Sequence, residues 1–133
     1  MELKVILVDD CDIVQFFHCE MLKDSNISHS PLQFMNGKEA LDYLIDAPIE
    51  EIQYLIFLDI NMPVLDGFQL LSGIQSLPKL DNLLIVMVTS STDDADRKRA
   101  FSFKQVIDFI EKPFTQKQCE AIKQHELLKG FFQ

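Results

Sequence analysis

Leu83-Leu84-Ile85-Val86-Met87-Val88 is an apolar run with no polar residue inside it. A strand with one wet face alternates apolar and polar residues. A run that does not alternate reads as a strand buried on both faces, as in a parallel sheet covered by helices. Val5-Ile6-Leu7-Val8 reads the same way. Working outward, β-rich runs fall at residues 4–8, 32–35, 54–58, 83–88 and 106–110, and the stretches between them are long enough for helices. Strand alternating with helix means βαβ units. The expectation is an α/β fold of three layers, a doubly wound five-stranded parallel sheet. Two strand orders are common in this class. In both, functional groups gather beyond the carboxyl ends of the strands, near the switch point. The second run, Pro31-Leu32-Gln33-Phe34-Met35, is the weakest and carries a proline, which suits an edge strand.

The helical stretches carry start signals. Asp12 can cap a helix whose apolar positions Ile13, Phe16, Phe17 and Met21 fall on one face. Asn36 can cap residues 37–45, and Thr115 can cap the last helix. Thr92, with Asp93 and Asp94, can open a helix that ends in Arg97-Lys98-Arg99. Acids first and bases last complement the helix dipole. This fourth helix has only Ala95, Ala100 and Phe101 for an apolar face, so it is expected to be weakly held and to be the part that moves when the site changes.

With 133 residues and 47% hydrophobic content, the chain is sized for one domain with a full core. It is read as a single domain over residues 1–133, without a separate output domain. The net charge of −9 argues against direct nucleic-acid binding, because an acidic surface repels phosphates. No apolar run approaches the roughly 18 residues of a membrane span, and the N-terminus lacks the basic region of a signal peptide. A cytoplasmic location is therefore expected. Cys11, Cys19 and Cys119 form no C-x-x-C pair, and His18, His29 and His125 give no zinc-type spacing.

The strand ends carry the chemistry. The first run ends in Asp9-Asp10, the third in Asp59, the fourth in Thr89-Ser90-Ser91, and the fifth is followed by Glu111-Lys112-Pro113. If the first and third strands are neighbours, Asp9, Asp10 and Asp59 converge. Clustered carboxylates raise one another's pKa unless a cation joins them. Mg²⁺ takes oxygen ligands, accepts one or two carboxylates and keeps room for water and a phosphate oxygen. Without a His or Cys cluster the set favours Mg²⁺ over Zn²⁺. Phosphoryl transfer runs on positioning and charge neutralisation, and a metal, an ammonium and a hydroxyl supply both. Asp59 would be the nucleophile that becomes an aspartyl phosphate. Asp9 and Asp10 would hold the metal, Lys112 would meet a phosphoryl oxygen as a point charge, and Thr89 would donate a hydrogen bond. Singly, each residue has a plainer reading: a capping Asp, a surface Lys, a Thr or Ser that closes a loop. Their shared sheet edge and complementary chemistry favour a site.

Val8-Asp9-Asp10, the run Leu58-Asp59-Ile60-Asn61-Met62-Pro63-Val64-Leu65-Asp66-Gly67, Val88-Thr89-Ser90-Ser91 and Phe109-Ile110-Glu111-Lys112-Pro113-Phe114 together resemble the CheY-like response-regulator receiver domains of two-component signalling. The resemblance runs from Lys4 to the last helix. It implies a flavodoxin-like sheet of order 2-1-3-4-5. It implies Asp59 as phosphoacceptor, Asp10 and Asp59 as side-chain Mg²⁺ ligands with Asp9 nearby, and the Asn61 backbone carbonyl as a further ligand. Thr89 and Lys112 would contact the phosphoryl group, and Phe109 would be the aromatic switch; from its place in a strand alone Phe109 reads as core. The Lys112-Pro113 bond is expected to be cis. The implied role is a signalling switch rather than an enzyme. Its donor would be a histidine kinase or a histidine phosphotransfer protein, its target another protein, and a dimer through the fourth helix, fifth strand and fifth helix is possible.

Three alternatives share parts of this pattern. Phosphatases of the haloacid dehalogenase kind carry a second Asp two residues after the nucleophile, where this chain has Asn61. A flavodoxin-type cofactor binder needs a phosphate-cradling first loop, and Asp9-Asp10-Cys11-Asp12 repels phosphate. A scaffold-only receiver would have no use for the full acid set with Thr89 and Lys112.

Overall fold

The computed structural model describes residues 1–133 apart from Ile49, Ser91 and Thr92. Parallel strands β1 (Glu2–Val8), β2 (Leu32–Phe34), β3 (Ile52–Leu58), β4 (Leu83–Thr89) and β5 (Val106–Glu111) alternate with helices α1 (Asp12–Asp24), α2 (Gly37–Asp46), α3 (Gly67–Ile74), α4 (Asp94–Phe101) and α5 (Gln116–Lys123). The sheet order is β2-β1-β3-β4-β5, with β2 at an edge. This is the doubly wound, flavodoxin-like order.

All seven residues of β4 are buried. Successive side chains point to opposite faces, and the core splits accordingly. Leu83, Ile85 and Met87 join Ile6 and Val8 in one layer, with residues of α2, α3 and α4 such as Leu44, Leu71 and Ala100. Leu84, Val86 and Val88 join Val5 and Leu7 in the other, with Leu22 of α1 and Cys119 and Ile122 of α5. The absence of alternation in the sequence is thus the direct trace of two hydrophobic layers.

Asn36 Oδ1 accepts from the Glu39 N–H at 2.9 Å and opens α2 as expected. Thr115 forms a reciprocal cap with Gln118, and Asp66 does the same with Gln69 at the start of α3. The Thr92 cap lies outside the described residues. The cap seen on α4 is Asp93, whose carboxylate accepts from the Ala95 N–H. Within α4 only Ala100 is buried, which is the thin apolar face read from the sequence. The tail is packed: Phe131 and Phe132 lie against the second core layer, and the Lys123 ammonium sits 5.6 Å from the centre of the Phe132 ring.

Helix α1 departs from expectation. Its cap position is Cys11, and Asp12 lies inside the first turn, where its charge suits the dipole. Most of the apolar stripe faces solvent: Ile13, Phe16 and Phe17 are 68%, 62% and 56% exposed, while Met21 is half-buried against the second core layer. The inward positions are Gln15, His18 and Leu22. The orientation follows from partners available only in the fold. Gln15 Nε2 and His18 Nε2 find hydrogen-bond partners inward, which offsets much of the cost of burying them, although Gln15 Oε1 has none, while the aromatic stripe stays exposed.

Candidate functional site

β1 and β3 pair in register with Val8 opposite Leu58, so Asp9 and Asp59 leave the sheet side by side. The Asp59 N–H donates to the Val8 carbonyl at 3.0 Å, and the Asp9 N–H donates to the Phe34 carbonyl at 3.1 Å. Carboxylate oxygens of Asp9, Asp10 and Asp59 lie within 4.8 Å of one another. Asp9 and Asp59 are only 3% and 2% exposed, whereas Asp10 is open to solvent. From the far side of the cleft, Lys112 Nζ reaches Asp9 Oδ2 at 3.1 Å and Asp59 Oδ2 at 3.2 Å. Its backbone N–H donates to the carbonyl of Thr89, which is fully buried at the end of β4.

The loop after Asp59 is tightly made. Asn61 offers Asp59 a backbone hydrogen bond. The Leu65 N–H donates to the Pro63 carbonyl at 2.8 Å across Val64, whose φ is 71°. That is a γ-turn with positive φ, a strained conformation for a β-branched residue. The Gly67 N–H then returns to the Ile60 carbonyl at 2.8 Å. On the opposite side of the cleft the Lys112-Pro113 peptide is cis.

Burial first, and then the charge of Asp9, push the Asp59 carboxyl above its ordinary pKa. The Lys112 charge and hydrogen bond and the Asn61 bond pull the other way and lose. For Lys112, burial opposes its charge, but the bonds and charges of Asp9 and Asp59 outweigh burial and raise its pKa. Two buried carboxylates thus share one ammonium, and a third carboxylate stands beside them. The surplus negative charge and the all-oxygen donor set fit a hard divalent cation such as Mg²⁺.

Phe109 is buried in β5 opposite Met87. The Arg97 guanidinium of α4 donates to its carbonyl at 3.3 Å and lies 5.8 Å from its ring centre. The aromatic position of the expected switch therefore points inward here. Asp9, Asp10, Asp59, Asn61, Thr89 and Lys112 all gather at the carboxyl edge of the sheet, with Phe109 just below it.

Two supporting residues escaped the sequence reading. Gln15 Nε2 donates to the carbonyls of Asp9 at 3.0 Å and Phe34 at 3.1 Å, which ties the ends of β1 and β2. His18 stacks on Phe114 with ring centres 3.9 Å apart and planes 16° from parallel. The signal was present as two polar residues three apart on α1. It was masked by the stronger apolar stripe on the other face.

His18 also sets an acid limit. Burial, and secondarily the Lys112 charge, lower its pKa from 6.5 to about 4. The unfolded chain then binds a proton at a pH where the folded chain does not, so stability falls as pH drops from 6.5 towards 4. The expected loss from this group is about 3 kcal/mol by pH 4, at about 1.4 kcal/mol per pH unit. Unfolding free energies of wild type and His18→Phe, from urea titrations between pH 7 and pH 4, should diverge by that amount; parallel curves would refute it.

Among the described residues, no helix is long and apolar enough to cross a membrane. The family profile of the response regulator receiver domain matches residues 5–123. The chain is 33% identical over 98 residues to a probable methanogenesis regulatory protein, FilR2, of Methanothrix harundinacea, covering 69% of this chain and 63% of that protein. It spans less than two thirds of several curated relatives, down to 13% of a sensor histidine kinase, CheAY, of Helicobacter pylori. In structure it is similar to a two-component response regulator from Cytophaga hutchinsonii, with TM-score 0.80, 23% identity, and coverage of 96% of this chain and 97% of that one. A second neighbour is the receiver domain of a sensor histidine kinase from Pseudomonas aeruginosa, determined with a magnesium ion coordinated in its active site cleft. Its TM-score is 0.75 at 22% identity, over 93% of this chain and 96% of the other. With the profile matching residues 5–123, nearly the whole chain, the chain belongs to the response regulator receiver domain family.

Proposed function

We propose that this chain is a phosphoacceptor switch of a two-component phosphorelay, in which Asp59 receives a phosphoryl group from a phosphohistidine. The observation that carries the reading is the double contact of Lys112 with Asp9 and Asp59, next to Asp10, on one sheet edge. An Asp59 carboxylate oxygen attacks phosphorus, an O–P bond forms, and the donor's N–P bond breaks. The imidazole leaves with the electron pair. Lys112 then follows the new phosphoryl oxygens, and the Thr89 hydroxyl supplies a further donor. Asp9, Asp10, Asp59 and the Asn61 carbonyl would hold Mg²⁺, which supplies charge neutralisation on the phosphoryl oxygens. A magnesium-containing neighbour of the same fold supports this choice.

The donor would be a histidine kinase or a histidine phosphotransfer protein. The exposed stripe of Ile13, Phe16 and Phe17 suits its docking, because α1 begins directly after the acidic loop. A groove lined by Phe17, Met21, Pro113 and Phe114 joins that stripe to the segment that carries Lys112. Thr89 and Phe109 would relay the change to α4 and β5, where the thin apolar face of α4 makes a low-cost moving part. That surface would signal to a protein target in the cytoplasm or pair with a second copy through α4, β5 and α5. The chain itself acts as a switch, not as an enzyme on an outside substrate.

The test is phosphotransfer of ³²P from candidate kinases, and from labelled acetyl phosphate, to wild type and Asp59→Ala with Mg²⁺. Labelling of wild type and none of the variant is expected. Equal labelling of both would sink the reading.

A further inference from the structure

Helix α1 presents two polar residues inward, one turn apart, and each grips a different arm of the cleft. Gln15 holds the Asp9 arm through the Asp9 and Phe34 carbonyls. His18 holds the Lys112 arm. It is 3% exposed, and its ring lies nearly parallel on Phe114 at 3.9 Å. The Phe114 N–H donates to His18 Nε2 at 3.4 Å. Phe114 in turn packs on Phe57 of β3, two residues before Asp59, with ring centres 4.9 Å apart.

Lys112 is two residues upstream of Phe114, and Pro113 between them has no N–H to anchor. The segment is therefore pinned at two places: the Lys112 N–H on the Thr89 carbonyl, and Phe114 stacked on His18 and packed on Phe57. A long, flexible lysine can serve two carboxylates about 3 Å away only if its backbone is held. Resting on the phosphoacceptor reading above, we propose that His18 is a positioning residue for Lys112: through Phe114 it fixes the segment that delivers the Lys112 ammonium to Asp59 and to the incoming phosphoryl group. A neutral ring suits the task, since a charged one would face the lysine it positions.

The test uses the full chain and three variants. His18→Phe keeps the stacked ring and loses the acceptor. His18→Gln keeps an acceptor and loses the ring. His18→Ala loses both. The first readout is the rate of labelling from acetyl phosphate at saturating Mg²⁺, per folded molecule, with the folded fraction checked by urea titration. His18→Ala is expected to fall about tenfold, because small misplacements of a charge-stabilising group are costly, and the two partial variants should fall between it and wild type. The loss should lie in the maximal rate, not in the donor concentration needed for half of it. The second readout does not require labelling: the ¹³C NMR titration of the Asp59 carboxyl. As Lys112 slackens, the Asp59 midpoint should move up from the wild-type value. A midpoint and a per-folded-molecule rate both unchanged in His18→Ala would overturn the proposal and leave His18 a packing residue. If that variant does not fold, unchanged values in both His18→Gln and His18→Phe overturn it equally. Failure of wild type to label at Asp59 would overturn the phosphoacceptor reading instead, and the carboxyl titration would still decide the role of His18.

Discussion

Lys112→Met is expected to slow labelling of Asp59 by acetyl phosphate on the order of a hundredfold, while Mg²⁺ binds at least as tightly as in wild type. Removing one preorganised donor from a charge-developing site costs about 10²–10³ in rate, and Lys112 is the cation aimed at both buried carboxylates, at 3.1 and 3.2 Å. Methionine fills a similar volume but leaves Asp9 and Asp59 facing each other without a counter-ion. Without metal the variant should lose roughly 3 kcal/mol of stability, since breaking a buried pair strands its charge. The loss is smaller if Asp59 protonates, towards which it is already biased by burial and by Asp9. Mg²⁺ should then restore more stability to the variant than to wild type, because it no longer competes with an ammonium. Labelling rates, with urea midpoints at zero and saturating Mg²⁺, check all three points. A labelling rate within twofold of wild type would mean that the lysine neutralises the resting cleft and takes no part in transfer.

The second large effect is Gly67→Ala. Gly67 opens α3 where the chain folds back under the acceptor. A Cβ there would overlap the Asp59 backbone carbonyl and stand 2.9 Å from Ile60 Cα. Backbone cannot rotate aside as a side chain can, so the strain falls on the peptide that carries the acceptor. A cost of about 3 kcal/mol is expected, at the upper end for overpacking, read as a lower urea midpoint with an unchanged slope. Labelling per folded molecule should fall as well, because what must move is Asp59 itself. A cost under about 1 kcal/mol would show that the loop between Asp59 and Gly67 yields more readily than its γ-turn at Val64 suggests.

The sheet was legible because two of its strands, β1 and β4, carry apolar runs without alternation. Six apolar residues in Leu83–Val88 cannot be half-wet, and their division between two core layers in the structure is the same statement in three dimensions. The strand-end residues were legible because they are chemically odd for their place: carboxylates, a hydroxyl and a lysine directly after apolar strands. Helix α1 shows where such reading stops. Ile13, Phe16 and Phe17 outweigh Gln15 and His18 in any hydropathy count, yet they face water. Hydropathy measures the cost of leaving a group wet. It does not measure whether a neighbouring element exists to cover it, or whether a polar group has a partner waiting inside.

The alternation of strands and helices, the two-sided burial of the central strands, and the polar groups at the sheet's carboxyl edge could all be read from the chain alone. These follow from local periodicity and from residue type. The assembled fold was needed to show that Lys112 bridges Asp9 and Asp59, that Phe109 lies inward beneath Arg97, and that Phe114, two residues after Lys112, packs on the rings of His18 and Phe57. Each of these joins residues between 12 and 103 positions apart, and a contact at that range is set by strand order and helix docking rather than by any neighbouring residue in the chain.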